Sequence, residues 1–110
     1  MTELVETTTA DGIRLHGALF LPEGGPQTDV RRGAVLLLHG AGCNFYGSTL
    51  FAGLIPAMTR LGLAALSVNT RGHDAVSTAT TPNGVRMLGA AFEMVDDCRH
   101  DVAAWIDWLR

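Results

Sequence analysis

The sequence predicts an α/β domain in which an antiparallel β-hairpin leads into parallel strands joined by crossover helices. Three observations carry that prediction. The run Ala34-Val35-Leu36-Leu37-Leu38 is short and apolar and ends abruptly in His39-Gly40-Ala41-Gly42. That is the pattern of a strand buried on both faces, which delivers functional groups at its carboxyl end. A second apolar run, Leu63 to Val68, follows after one helical stretch. Ahead of both, the two-residue turn signal Asp11-Gly12 separates two strand-like segments.

In chain order, residues 4–21 form the hairpin. Ile13, Leu15, Gly17, Leu19 and Leu21 alternate with Arg14, His16, Ala18 and Phe20, a period of two, and Pro22 stops the second strand. Val5 and Thr7 to Thr9 suit a solvated edge strand. Residues 22–33 make a surface loop. The buried strand covers 34–39. Leu50, Phe51, Leu54, Ile55, Met58 and Leu61 recur at helical spacing and predict a helix over 48–61, capped by Ser48 and ended by Gly62. Pro56 predicts a kink inside it, or a helix that begins near Pro56. Residues 63–68 form the next buried strand. Residues 69–91, rich in Thr, Ser, Gly and Ala, read as an ordered loop with at most one short helix. A final helix spans 93–110, with Met94, Val95, Cys98, Val102, Trp105, Ile106 and Leu109 on one stripe. Asp96, Asp97 and Asp101 read as a solvated face.

The 110 residues suffice for one domain, and 47% hydrophobic with 17% charged residues is globular composition. A net charge of −3 and the lack of a basic cluster beyond Arg31-Arg32 argue against nucleic acid as a partner. No apolar run reaches the ~20 residues that span a bilayer, so no membrane partner is expected. The acidic start, Met1-Thr2-Glu3-Leu4-Val5-Glu6, is not a secretory signal. Cys43 and Cys98 form no disulfide framework and read as free thiols. Together these features predict a cytoplasmic protein.

The landmarks, taken in order, resemble the N-terminal half of an α/β-hydrolase fold enzyme. A hairpin leads, a strand ends in His39-Gly40, and a helix and strand follow. These end in Asn69-Thr70-Arg71-Gly72-His73-Asp74, similar to the family pattern Asp-x-Arg-Gly-His-Gly. The stretch Asp101-Val102-Ala103-Ala104-Trp105-Ile106-Asp107-Trp108-Leu109 looks like the family helix that precedes the nucleophile strand. The resemblance spans nearly the whole chain, a single partial α/β-hydrolase domain over 1–110. Asn69 stands where the family has Asp, and Asp74 where it has Gly. These departures resemble a branch of esterase-like or peptidase-like members and leave the two open.

The family's nucleophilic serine sits in Gly-x-Ser-x-Gly on the next strand, and that motif is absent here. The resemblance therefore implies a fragment or truncated product lacking nucleophile, acid and base. It also implies that the backbone N–H of Ala41, with Gly42 in the same turn, belongs to an oxyanion hole. His39, Gly40, Arg71, Gly72 and His73 then serve loop architecture. Arg71 is expected to pair with a nearby acid.

Other chemistry has weaker support. Ser48 reads as a cap, Ser67 lies inside a strand, and Ser77 sits in a loop. None has the strand-to-helix elbow that exposes a nucleophile. Cys43 suits packing better than attack. His39, Cys43 and His73 lack the paired spacing of zinc sites, so no metal is expected. No dinucleotide fingerprint follows a strand, so no cofactor is expected either. The leading expectation is the N-terminal portion of a serine hydrolase acting on carboxylic esters or related small acyl compounds, inactive as these 110 residues alone. The alternative is a non-catalytic module that self-associates through strand 34–38.

Overall fold

A computed structural model describes residues 2–22 and 33–110. The loop expected at 22–33, Arg31-Arg32 included, falls almost wholly outside the described residues. Strands β1 (Thr2–Thr8) and β2 (Arg14–Phe20) form the leading antiparallel hairpin. Its connection is longer than the two-residue turn expected at Asp11-Gly12. The Thr9 hydroxyl donates to Asp11 Oδ1 (2.6 Å) and accepts from the Ile13 N–H (2.9 Å), so a threonine side chain closes the loop.

Strand β3 (Ala34–Leu38) and strand β4 (Ala64–Val68) pair in parallel, from Ala34 opposite Ala64 to Leu38 opposite Val68. Helix α1 (Thr49–Arg60) crosses between them. β4 also pairs antiparallel with β2, which gives the sheet order β1-β2-β4-β3.

β4 shows how period-two patterning builds two cores from one strand. Leu66 and Val68 face a cluster with Ile13, Leu15, Ala79, Leu88 and Trp105. Ala65 faces the other side with Leu37 and Ile55, against which Phe20, Val35, Phe51 and Met58 pack. All four β4 residues from Ala65 to Val68 are buried, as a strand covered on both faces requires. β3 differs from the expectation for 34–39. It lies at the sheet edge, only Leu37 is buried, and Ala34 and Leu38 are exposed.

α1 runs without interruption through Pro56, so neither a kink-and-restart nor a late start is needed. Pro56 and Ala52 are both exposed. Water can therefore solvate the Ala52 carbonyl that proline leaves without its helical donor. Ser48 caps the start, its Oγ accepting from the Phe51 N–H at 3.2 Å. At the other end Gly62 (φ +82°) turns the chain left-handed. The Leu63 N–H then reaches the Met58 carbonyl and the Gly62 N–H reaches that of Thr59, a Schellman closure.

The segment expected as loop over 69–91 contains a second hairpin, strands β5 (Ser77–Thr81) and β6 (Gly84–Leu88). Its tip is the Pro82-Asn83 turn, and Ala79 and Leu88 insert into the first core cluster. Helix α2 (Cys98–Leu109) begins later than 93, after a 3₁₀ turn at Val95–Asp97. The expected stripe is correspondingly shifted. Met94 and Val95 are exposed, while Trp105 and Asp101 are completely buried. Asp101 is therefore not on a solvated face. Among the described residues no helix is long and apolar enough to cross a membrane.

Candidate functional site

The carboxyl ends of β3 and β4 lie side by side, and the loops that leave them are stitched together. His39 bridges the two. Its Nε2 accepts from the Thr70 N–H at 3.0 Å, which leaves Nδ1 to carry the proton that meets the Gly40 carbonyl at 2.8 Å. Both ring nitrogens are committed to backbone, so His39 anchors the turn and is not free to act as a base.

The next residues define what the turn offers. The Gly42 N–H donates to the Gly72 carbonyl (3.1 Å), and the Cys43 N–H to the Gly40 carbonyl (3.0 Å). Gly42, considered with Ala41 as part of the oxyanion turn, thus has its amide engaged. Ala41 is exposed, and its N–H has no acceptor among the described residues.

Beyond the turn, Ser67 Oγ on β4 donates to the Phe45 carbonyl at 2.7 Å, and Asn69 Oδ1 accepts from the Phe45 N–H at 2.9 Å. Both side chains are buried. These contacts fix residues 43–47 over the β4 end. The sequence hints for them were a serine inside an apolar strand and an asparagine at its close. Asn69 also receives the Trp105 indole N–H on its carbonyl (3.0 Å), so the same residue seats α2.

Arg71 is buried to 1% exposure and holds three elements together. Its backbone N–H and guanidinium bond Asp101 of α2 at 2.8–3.2 Å. Nη1, and Nη2 which Asp11 shares with Asp101, donate to Asp11 in the β1–β2 connection at 2.8 and 2.9 Å. Burial alone would lower the guanidinium pKa. The Asp11 and Asp101 hydrogen bonds outweigh it and raise the value above the ordinary one. The same Arg71 hydrogen bonds hold the Asp11 carboxyl well below the usual carboxylate range. The expected acid partner of Arg71 therefore exists three times over, as hydrogen-bonded Asp11 and Asp101 and as Asp97 at 3.9 Å. Asp101 was findable by helical spacing, since it lies four residues from Trp105 and three from Cys98.

No serine here is activated. Ser48 is occupied as a cap, Ser67 as a clip on Phe45, and Ser77 Oγ is buried with no hydrogen-bond partner. Burial and the Glu93 carboxylate, which accepts from Cys98 Sγ at 3.3 Å, push the Cys98 thiol up to about 12. It stays protonated at neutral pH and is inert as a nucleophile. Among the described residues, no three His, Cys, Asp or Glu side chains are placed to hold a metal ion, the trio His39, Cys43 and His73 included. A shallow hollow of about 490 Å³ opens between the hairpin tips, lined by Asp11, Pro82 and Arg86 among others, and it includes no residue of 39–42.

Neither a protein-family model nor a curated protein sequence matches the chain. Solved structures do. The esterase Pf2001 of Pyrococcus furiosus superposes with a TM-score of 0.67 at 19% identity, over 99% of this chain and 34% of that one. The alpha/beta hydrolase GrgF from Penicillium sp. sh18 gives 0.65 at 19% identity, over 98% and 32%. DcsB, solved with a substrate analogue, gives 0.66 at 16% identity, over 98% and 31%. The chain spans about a third of the length of the structures it matches. The leading hairpin, the parallel pair β3–β4 and the flanking helices make it part of an α/β-hydrolase-like fold.

Proposed function

We propose that these residues form the N-terminal portion of a serine hydrolase that cleaves carboxylic esters or related acyl compounds, and that Ala41 supplies one oxyanion-hole donor. The observation that carries the proposal is the unengaged Ala41 N–H at the carboxyl end of β3, in a turn where the two following amides, those of Gly42 and Cys43, are committed. Acyl transfer in this fold uses one donor from the loop after this strand and a second from the residue following the nucleophile. A backbone amide held rigidly at that point is worth roughly 2.7–4 kcal/mol of barrier when negative charge develops on the carbonyl oxygen. Rigidity is supplied by His39 from behind and by the Gly42–Gly72 and Phe45–Asn69 bonds on the far side. The esterase and hydrolase neighbours support the reaction class. Nucleophile, acid and base belong to residues outside these 110.

The test is treatment of the 110-residue chain with a p-nitrophenyl ester and a fluorophosphonate serine probe. No turnover and no labelled serine are expected. A covalent adduct on Ser48, Ser67 or Ser77 would contradict the proposal.

A second reading, a self-associating module, is favoured by the position of β3. It pairs only with β4 among the described residues, and Leu38 on it is 43% exposed. An apolar parallel edge recruits another strand. Sedimentation of the 110-residue chain is expected to show species larger than a monomer, and a single monomeric boundary would count against it.

A further inference from the structure

Asp74 stands where the hydrolase pattern has glycine, and it is the one non-glycine residue with positive φ (+58°) among the described residues. Asp tolerates that left-handed backbone better than most side chains. Here it also uses the side chain that glycine lacks. The Asp74 N–H donates to the Cys43 carbonyl at 2.7 Å, and its carbonyl accepts from the Ala90 N–H at 2.9 Å. Its carboxylate accepts from Asn44 Nδ2 through one oxygen (2.9 Å) and meets His73 Nδ1 through the other (2.8 Å). A carboxylate can only accept, so His73 carries its proton on Nδ1. Asn44 in turn offers Oδ1 to the Tyr46 N–H (3.2 Å).

We infer that Asp74 is a positioning residue for the oxyanion turn, clasping residues 43–46 through Asn44 and the Cys43 carbonyl so that the turn bearing Ala41 keeps one shape. The inference rests on the functional reading of Ala41 for its catalytic meaning, although the clasp itself does not. Glycine at position 74 would keep the backbone path and the Cys43 contact and lose the carboxylate ties. The loop would then be held from the β4 side by Ser67, Asn69 and the backbone bonds of Gly42 and Cys43, with no side-chain tie to Asn44.

The test is hydrogen exchange on the 110-residue chain and its Asp74→Gly variant at neutral pH. Loss of a charge-assisted clasp is expected to speed exchange in segment 40–46 about tenfold. Exchange in β4 and α2 is expected to stay unchanged, because glycine accepts positive φ without strain. The ¹⁵N spectrum of His73 is expected to leave the Nδ1–H form in the variant, which reports loss of the Asp74 carboxylate contact. Unchanged exchange at 40–46, or acceleration spread evenly over β4 and α2, would overturn the inference. Should Asp74→Gly fold poorly, Asn44→Ala opens the same clasp from its other end and is expected to accelerate the same segment. Failure of the functional reading registers separately, as probe labelling of a serine within these residues, and leaves the exchange result intact.

Discussion

Asp101 carries a formal charge into the first core beside Trp105, and Arg71 meets it there with both a backbone and a side-chain donor. Removing one partner of a buried pair leaves the other unpaired and costs about 3–5 kcal/mol. Asp101→Ala is therefore expected to lower the urea unfolding free energy by that much, and a loss below about 1 kcal/mol would mean that Arg71 finds another partner. The Asp11 arm makes stability depend on pH. Its carboxyl is depressed in the fold by the Arg71 hydrogen bonds. Its contribution is thus fully present above the unfolded value of about 3.9 and is lost as pH falls through the lower folded value. The unfolding midpoint is expected to drop as pH falls from about 4, and Asp11→Asn should flatten that slope. An identical slope in the variant would place the acid sensitivity elsewhere. At this scale the sequence was only half legible. Arg71 advertised its need for an acid, but Asp11 looked like turn chemistry, and the charge of Asp101 read as surface although its spacing from Cys98 and Trp105 placed it on the buried stripe.

The β5–β6 hairpin is the element that composition hid. Its strands are Ser-Thr-Ala-Thr-Thr and Gly-Val-Arg-Met-Leu, and most of these residues face solvent. Only Ala79 and Leu88 reach the core, too few to print a period on the sequence. The exit from β6 depends on Gly89, at φ +95° and bonded to the Arg71 carbonyl. A Cβ there would sit 2.9 Å from the Ala75 carbonyl oxygen and the Ser77 nitrogen. Gly89→Ala combines that collision with backbone strain of order 1–3 kcal/mol. Thermal unfolding is expected at a lower midpoint for the variant, and an unchanged midpoint would show that the hairpin can shift at no cost. The leading hairpin, β3, α1 and β4 were legible in advance, because each carries its own period and its own stop. α2 was legible as a helix but not in its start. Its first turn is 3₁₀, and the exposed Met94 and Val95 mimic a continuing stripe.

At the scale of the whole molecule, the sheet brings two strand ends together and the loops leaving them tie each other down. His39, Asn69, Arg71 and Asp74 do so through different atoms, around a turn in which the Ala41 amide is unengaged. The landmarks of this arrangement could be read from order and spacing along the chain. The ties could not, since each joins positions 24 to 60 residues apart or depends on a left-handed backbone that Asp conceals. The central claim, that this turn serves acyl transfer by a serine outside residues 1–110, is tested most directly by fluorophosphonate labelling and peptide mapping of the protein as cells produce it. The expected result is a single adduct on a serine within Gly-x-Ser-x-Gly beyond residue 110. An adduct on Ser48, Ser67 or Ser77, or ester hydrolysis with no labelled serine at all, would contradict it.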